Sequence, residues 1–184
     1  MFTRTERLLL RPGWAEDAPA LAAAIADERI VRNLATAPWP YRLRDAEAFL
    51  AQPRDPVLPS FLVFERTDGE PRLVGSCGLG RRPSGAVELG YWIARPFWGR
   101  GFATEAGQAV IAGARDSLRL RRLASGHFLD NPASGRVLAK LGFRPVGTEP
   151  RYSVGRGAEV PCKLFELELG ESAGAEGQTC AMAA

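Results

Sequence analysis

The sequence has few of the residues that build disulfide or metal sites. Its 184 residues include three cysteines, Cys77, Cys162 and Cys180, and one histidine, His127. Three widely spaced cysteines are too few for a disulfide framework or a zinc ribbon. We therefore expect reduced thiols and no bound metal.

Long apolar runs are also missing. The longest uncharged apolar stretch, ALAAAIA at 20–26, is far shorter than the roughly 20 residues needed to cross a bilayer. The first stretch, MFTRTERLLLRPGW, has only three consecutive leucines, which does not fit a signal peptide. The sequence predicts a cytoplasmic protein that does not contact a membrane.

Lysine is nearly absent, since Lys140 and Lys163 are the only two, and arginine supplies most of the positive charge behind a formal net charge of +3. The arginines form short pairs, such as Arg81 and Arg82, and no long basic stripe. This mild excess fits an anionic small ligand or an acidic partner. We expect no nucleic-acid partner.

The length and a hydrophobic content of 46% fit one globular domain, which we place at residues 1–169. The small, polar stretch at 170–184 is predicted to be a disordered tail. Periodicity and capping residues predict helices at 16–34, at 44–52, after 101 and after 131. Strands are predicted at 6–12, 86–94, 120–129, 144–150 and 160–169, and the segment 61–79 is predicted to form two strands joined by an Asp-Gly turn.

The stretch RPFWGRGFATEA at 95–106 places Gly99 and Gly101 directly before a predicted helix. A helix N-terminus has about four unpaired N–H groups and a partial positive charge, and it therefore attracts phosphate. The glycines and Ala103 allow close approach, and Thr104 adds a hydroxyl. No Gly-Lys-Ser/Thr ending follows, and Thr104 stands where a dinucleotide motif has its last glycine. The residues leave two interpretations, a phosphate site or a turn that needs positive φ.

This stretch resembles the acetyl-CoA pyrophosphate loop of the GNAT superfamily of N-acetyltransferases, whose pattern is Gln/Arg-x-x-Gly-x-Gly/Ala before a helix. Trp98 departs from the usual Gln/Arg. The motifs ERLxLRP, ELGYWI and NPASxRVLxKLGF occur in order around the loop. They are similar to the branch of ribosomal-protein N-terminal acetyltransferases (RimJ/RimL-like). The resemblance covers roughly residues 4–168.

The resemblance implies an α+β (mixed α/β) fold, with a strongly twisted mixed sheet of about seven strands, splayed between strands four and five, and helices on both faces. It implies an acetyl-CoA-dependent N-acetyltransferase in which a protein N-terminal α-amine or a small-molecule amine attacks directly in a ternary complex. Another donor such as succinyl-CoA, and a non-catalytic acyl-CoA-binding sensor, stay open. So does the choice between monomer and homodimer.

The same resemblance implies which residues bind acetyl-CoA. They are, for pantetheine, Trp92, Ile93 and Ala94, with Asn131 and Ser134 further along, and, for the pyrophosphate, Trp98, Gly99, Arg100, Gly101, Phe102, Ala103 and Thr104.

Glu88 and Ser134 are the first candidates for catalysis, and His127 is a further one. Glu88 lies on the fourth predicted strand and is either a base acting through water or a structural glutamate. Related enzymes often carry a Tyr acid where this chain has Leu138, and Ser134 is the candidate replacement, or else an ordinary first-turn residue. Asn131 is a helix cap that is also a candidate to reach pantetheine. His127 is a second candidate base, or a plain strand position.

Further side chains are candidates for the 3′-phosphate or the acceptor, with a solvated surface or core packing as the alternative for each. The phosphate candidates are Arg100, Arg136 and Arg144. The acceptor candidates are Trp14, Trp39, Tyr41 and Trp92, with the variable loops 35–41 and 149–160.

Overall fold

The computed structural model describes residues 2–170, so the predicted disordered tail from 171 onward lies outside the described residues. Strands lie at β1 Thr3–Arg4, β2 Leu8–Arg11, β3 Ser60–Glu65, β4 Arg72–Arg81, β5 Val87–Ile93, β6 Arg122–Phe128, β7 Arg144–Ser153 and β8 Ala158–Glu168. Helices lie at α1 Ala18–Ile25, α2 Glu28–Val31, α3 Leu43–Ala51, α4 Phe102–Asp116 and α5 Pro132–Lys140. None of these helices is long and apolar enough to cross a membrane.

The eight strands form one sheet in the order β1-β2-β3-β4-β5-β6-β8-β7. All neighbours are antiparallel except β5 and β6, which run parallel and share one registered pair, Glu88 with Ala124. The two strands diverge beyond that pair, which confirms the expected splay. The two-residue β1 adds one strand to the expected seven and shifts the numbering by one.

Successive side chains of β3 point to opposite faces of the sheet, and they are apolar on both faces. Helices therefore cover both faces. Leu62 packs with Leu21 of α1 and Ala46 of α3. Its neighbour Val63 points to the opposite face and packs in the cluster that contains Ala106 of α4. The mixed architecture with helices on both faces is therefore confirmed.

The single helix predicted at 16–34 is wrong. A 3₁₀ turn at Ala15–Asp17 leads into α1, which ends at Ile25, and α2 follows as a separate short helix. Asp27 lies between them with an extended backbone, and its side chain accepts a hydrogen bond from the N–H of Arg29 at 2.8 Å. An aspartate at this position stabilises a new helix start more than it stabilises a helix interior.

The segment 149–160, predicted to be a variable loop, is mostly a β-hairpin. Strand β7 continues to Ser153 and β8 begins at Ala158, so only 154–157 form the turn. The hairpin end is bonded to the predicted loop 35–41, since the N–H of Val154 donates to the carbonyl of Ala35 at 2.9 Å. Both segments are therefore held beside the open end of β5 and β6.

Candidate active site

A cavity of about 560 Å³ lies where β5 and β6 diverge. On one face of the sheet it is lined by the start of α4 and the first turns of α5, and on the other by α2 and the residues after it. It therefore passes through the sheet at the split. A molecule on one face can meet a molecule on the other face there.

The glycines before α4 have the positive φ that was one of the two interpretations of the sequence, and they also line the cavity. Gly99 has φ 76° and Gly101 has φ 82°, so both need the left-handed region. A Cβ added at Gly99 would meet no heavy atom within 4 Å, and one at Gly101 would meet only the guanidinium of Arg7 at 3.5 Å. The space in front of the glycines opens into the cavity, which Ala103 and Thr104 also line.

Trp98 ties this glycine loop to the end of β5. Its indole Nε1 donates to the carbonyl of Ile93 at 2.6 Å. The N–H of Ala94 donates to the carbonyl of Val74 at 2.8 Å, and Ala94 does not line the cavity. The N–H of Ala94 is therefore satisfied within the protein, whereas the carbonyl of Ile93 has a second lone pair.

The three arginines considered for the 3′-phosphate have different surroundings. Arg100 forms an ion pair with Glu65, and its guanidinium stacks 4.7 Å from the ring centre of Phe102. Arg144 is exposed at the start of β7 and does not line the cavity. Arg136 of α5 does line it. Of the three side chains, Arg136 alone is in place for a phosphate in this cavity.

Glu88 is held by two arginines. Its Oε1 accepts from Nη1 of Arg151 at 2.8 Å, and its Oε2 lies 3.1 Å from Nε of Arg82. Glu149 accepts from Nε of Arg151 at 3.0 Å and extends the network. Because Glu88 is on β5 and Arg151 on β7, this network bridges the split. Sequence reasoning missed both arginine partners, which no local motif indicates.

His127 lines the cavity and has a defined orientation. Its Nδ1 lies 2.8 Å from the carbonyl oxygen of Phe128, and since a carbonyl only accepts, Nδ1 carries the proton in the neutral ring. Its Nε2 faces Gly135, where an added Cβ would come within 2.7 Å. The ring therefore packs against the first turn of α5.

The first turn of α5 brings together two of the predicted residues and one that was missed. Asn131 caps the helix, its Oδ1 accepting from the N–H of Ser134 at 3.3 Å. The Ser134 hydroxyl lies 2.8 Å from the hydroxyl of Tyr91 on β5. Leu138, one turn later, is completely buried. Tyr91 is the residue that sequence reasoning missed, because no motif around it indicates a function.

Tyr91 is neutral at physiological pH. Burial raises the pKa of its phenol to about 12, although the hydrogen bond with Ser134 acts in the opposite direction. The hydroxyl therefore both donates and accepts.

Of the aromatic acceptor candidates, Trp92 lines the cavity. Trp14 packs against the guanidinium of Arg11, with 4.0 Å to the ring centre, and Trp39 is exposed. Tyr41 packs against the buried clusters around α1 and α2. The structure thus places one of the four side chains in the cavity.

A sheet split between two parallel strands, with a glycine-rich helix start at the split, defines a class of transferase that binds an acyl-coenzyme A. Residues 7–144 match the acetyltransferase (GNAT) domain, and the chain belongs to this family. It is an acyltransferase with acetyl-CoA as cosubstrate.

Known proteins resemble the chain over nearly its whole length. The N-acetyltransferase p20 of Bacillus licheniformis is 29% identical over 177 residues, covering 92% of this chain and 97% of that protein. A GNAT-family acetyltransferase structure from Bacillus anthracis has a TM-score of 0.78 at 22% identity and covers 92% of this chain and 99% of its own. The ribosomal-protein-S5-alanine acetyltransferase of Vibrio fischeri has a TM-score of 0.74 at 20% identity, with 91% and 96% covered. The two structural likenesses show the fold.

Proposed function

We propose that the protein transfers the acetyl group of acetyl-CoA directly to a primary amine within a ternary complex. The observation that carries this proposal is the cavity that passes through the sheet split. A donor bound along α4 and α5 and an acceptor bound beside α2 would meet at that point. Holding two reactants together in the correct geometry is among the largest contributions to catalysis, about 7–11 kcal/mol in favourable cases.

The proposed acetyl-CoA site follows the cavity wall from α4 to β5 and α5. The pyrophosphate lies against the unpaired N–H groups at the start of α4, and Arg136 is the candidate for the 3′-phosphate. The proposed contacts are, in chain order, Trp92, Ile93, Trp98, Gly99, Arg100, Gly101, Phe102, Ala103, Thr104, Asn131 and Ser134. Ala94, which was expected from the sequence to contact pantetheine, is left out because it does not line the cavity and its N–H and carbonyl are bonded to Val74 and Phe97. Arg100 contributes through its backbone, because its side chain binds Glu65.

We assign the acceptor as an α-amine, either a protein N-terminus or a small molecule. The amine must be neutral to attack, and an α-amine has a pKa of about 7.7–8.0 against about 10.4 for lysine. The only carboxylate that lines the cavity within the described residues, Glu88, is already bound by Arg82 and Arg151. Glu88 is the proposed base, acting through a water. An α-amine is already partly neutral and needs little help from it. The motifs shared with the branch of ribosomal-protein N-terminal acetyltransferases support a protein N-terminus.

Ser134 is the proposed hydrogen-bond donor to the leaving sulfur. It lines the cavity at the first turn of α5, and Leu138 cannot provide a proton. A thiol has an ordinary pKa of about 8.5, so its thiolate leaves without full protonation. A cytoplasmic location, as predicted from the sequence, is part of this proposal.

The test is CoA release from acetyl-CoA, measured as free thiol, in the presence of possible acceptors. The panel consists of peptides with free N-termini, the same peptides with blocked N-termini, small amines and aminoglycosides, each repeated with succinyl-CoA. We expect release with free but not blocked N-termini. Glu88→Gln and Ser134→Ala should each lower the rate.

Two results would contradict the proposal. Tight acetyl-CoA binding without release for any acceptor would indicate a sensor. Faster CoA release from succinyl-CoA than from acetyl-CoA would indicate that succinyl-CoA is the acyl donor.

A further inference from the structure

Tyr91 and Ser134 form a contact that the proposed chemistry does not yet use. The Tyr91 hydroxyl lies 2.8 Å from Oγ of Ser134 and 3.1 Å from the carbonyl oxygen of Ser134. The two residues are 43 positions apart and come from β5 and α5, on the two sides of the cavity. Both are partly buried.

The proton inventory of this pair allows two arrangements. A phenol has one proton and a carbonyl only accepts. If Tyr91 donates to the carbonyl, it accepts from the Ser134 hydroxyl, whose proton then points away from the cavity. If Tyr91 donates to Oγ, the Ser134 proton is free to point into the cavity. A negative charge in the cavity favours the second arrangement.

We propose that Tyr91 is a positioning residue that directs the Ser134 hydroxyl at the sulfur of coenzyme A as the thioester breaks. This inference rests on the proposed function. The amine nitrogen attacks the carbonyl carbon, the new C–N bond forms, and the C–S bond breaks with its electron pair left on sulfur. The amine proton goes to water, and Ser134 donates a hydrogen bond to the thiolate without giving up its proton.

Tyr91 does not itself supply a proton. Its pKa of about 12 lies well above that of an ordinary thiol, about 8.5, so a phenolate would form only at a large disadvantage. Its hydroxyl is instead a fixed donor that reaches the first turn of α5 from the strand below, while the helix position one turn later is filled by the buried Leu138.

The kinetic test uses Tyr91→Phe, Ser134→Ala and the double variant. Phe keeps the ring, so the fold should be preserved, which melting temperatures will check. Loss of one hydrogen bond to a developing charge should lower kcat about tenfold in each single variant, with KM for acetyl-CoA within about twofold. The double variant should be no slower than Ser134→Ala, because Tyr91 acts through Ser134.

Ser76→Ala is the matched control. Its hydroxyl also binds a backbone carbonyl, that of Phe61 at 2.8 Å, but it does not line the cavity. Its kcat should equal that of the unmodified protein. Full activity in Tyr91→Phe, or losses that multiply in the double variant, would overturn the proposal.

A binding measurement tests the same pair without any acceptor. Calorimetry compares CoA with desulfo-CoA at pH 7 and 9.5. The ratio of the affinity for CoA to the affinity for desulfo-CoA should be larger at pH 9.5 than at pH 7, because the thiol of CoA ionises. In Tyr91→Phe and Ser134→Ala this increase in the ratio should be about tenfold smaller. An undiminished preference in Tyr91→Phe contradicts the positioning role. Failure of the proposed function would appear separately, as absence of acceptor-dependent CoA release by the unmodified protein.

Discussion

At the residue scale, Gly99 and Gly101 show how one missing Cβ meets two needs. Their positive φ values of 76° and 82° bring the chain into α4, and the space in front of them belongs to the cavity. Gly85, in the turn between β4 and β5, has φ 82° as well and does not line the cavity. Gly85 therefore has the same backbone requirement without a place at the cavity.

Gly99→Ala and Gly85→Ala should therefore differ in one property only. Each forces alanine into the left-handed region, which lowers stability by about 1–2 kcal/mol. Only Gly99→Ala also puts a methyl group where the pyrophosphate is proposed, and it should weaken acetyl-CoA binding about tenfold or more. Urea unfolding and calorimetry measure the two effects. Equal affinities for acetyl-CoA in the two variants would contradict the proposed position of the pyrophosphate at this loop.

At the element scale, the split between β5 and β6 needs support from side chains, because the strands share one registered pair. The bridge from β5 to β7 consists of Glu88 and Arg151, with Arg82 and Glu149 on either side. Arg151 is mostly buried, and its Nη2 is buried with no hydrogen-bond partner among the described residues, which reduces the net stabilisation from these ion pairs. Two of the three guanidinium nitrogens of Arg151, Nε and Nη1, still have hydrogen-bond partners.

Arg151→Met should lower the free energy of unfolding by about 2 kcal/mol, since it removes hydrogen bonds to Glu88 and Glu149 and leaves their charges less compensated. Arg122→Met is the control. Arg122 pairs with Glu166 and Glu168 on the surface, with 61% of its side chain exposed, and its loss should change stability by less than about 1 kcal/mol. Similar losses in both variants, measured in urea, would contradict a special role for the bridge.

The start of α4 is held in place by Glu105. Its carboxylate accepts from the hydroxyl of Thr5 at 2.6 Å and from the N–H of Arg7 at 3.0 Å, and pairs with the Arg7 guanidinium. Burial acts to raise the pKa of Glu105, but these bonds bring it below its usual value. The stabilisation is complete above the unfolded-state pKa, about 4.3, and is lost as the pH falls through the lower folded-state pKa.

Glu105→Gln should be less stable than the unmodified protein at pH 7, by about 1–3 kcal/mol, and should lose less stability on acidification below about pH 4.3. The measurement is urea unfolding at a series of pH values. Glu47→Gln, at an exposed position of α3, should follow the unmodified protein within about 0.5 kcal/mol. Parallel pH curves for Glu105→Gln and the unmodified protein would show that Glu105 is not the group concerned.

At the scale of the whole molecule, the cavity through the sheet makes the protonation of the acceptor itself important, because Glu88 is already held by arginines. With a peptide α-amine, kcat/KM should rise with pH and level off above about 8, whereas with a lysine-type amine it should still rise near pH 10. At pH 7 the neutral fraction of the α-amine exceeds that of lysine by about 200- to 400-fold, and the α-amine should be favoured accordingly. Initial rates at low acceptor concentration provide the comparison. A lysine side chain that reacts as fast at pH 7 would contradict the assignment of an α-amine.

The sequence by itself determined the order of the elements, the glycine loop before α4, the Asn131 cap of α5 and the family. These features depend on local rules: strand alternation, positive φ at glycine and capping side chains all act within a few residues. Local rules also explain the wrong helix at 16–34, since alanine-rich helix propensity extended across Asp27, where the structure begins a new helix.

Only the tertiary structure decided which side chains meet at the split. Glu88 and Arg151 are 63 positions apart, and Tyr91 and Ser134 are 43 apart. Such contacts depend on the parallel pairing of β5 with β6 and on the register of β7 against β8. Strand pairing across long loops leaves no periodic signal in the sequence, because it is selected by packing of the whole sheet. The same packing turned Arg100 toward Glu65 and left Arg136 at the cavity.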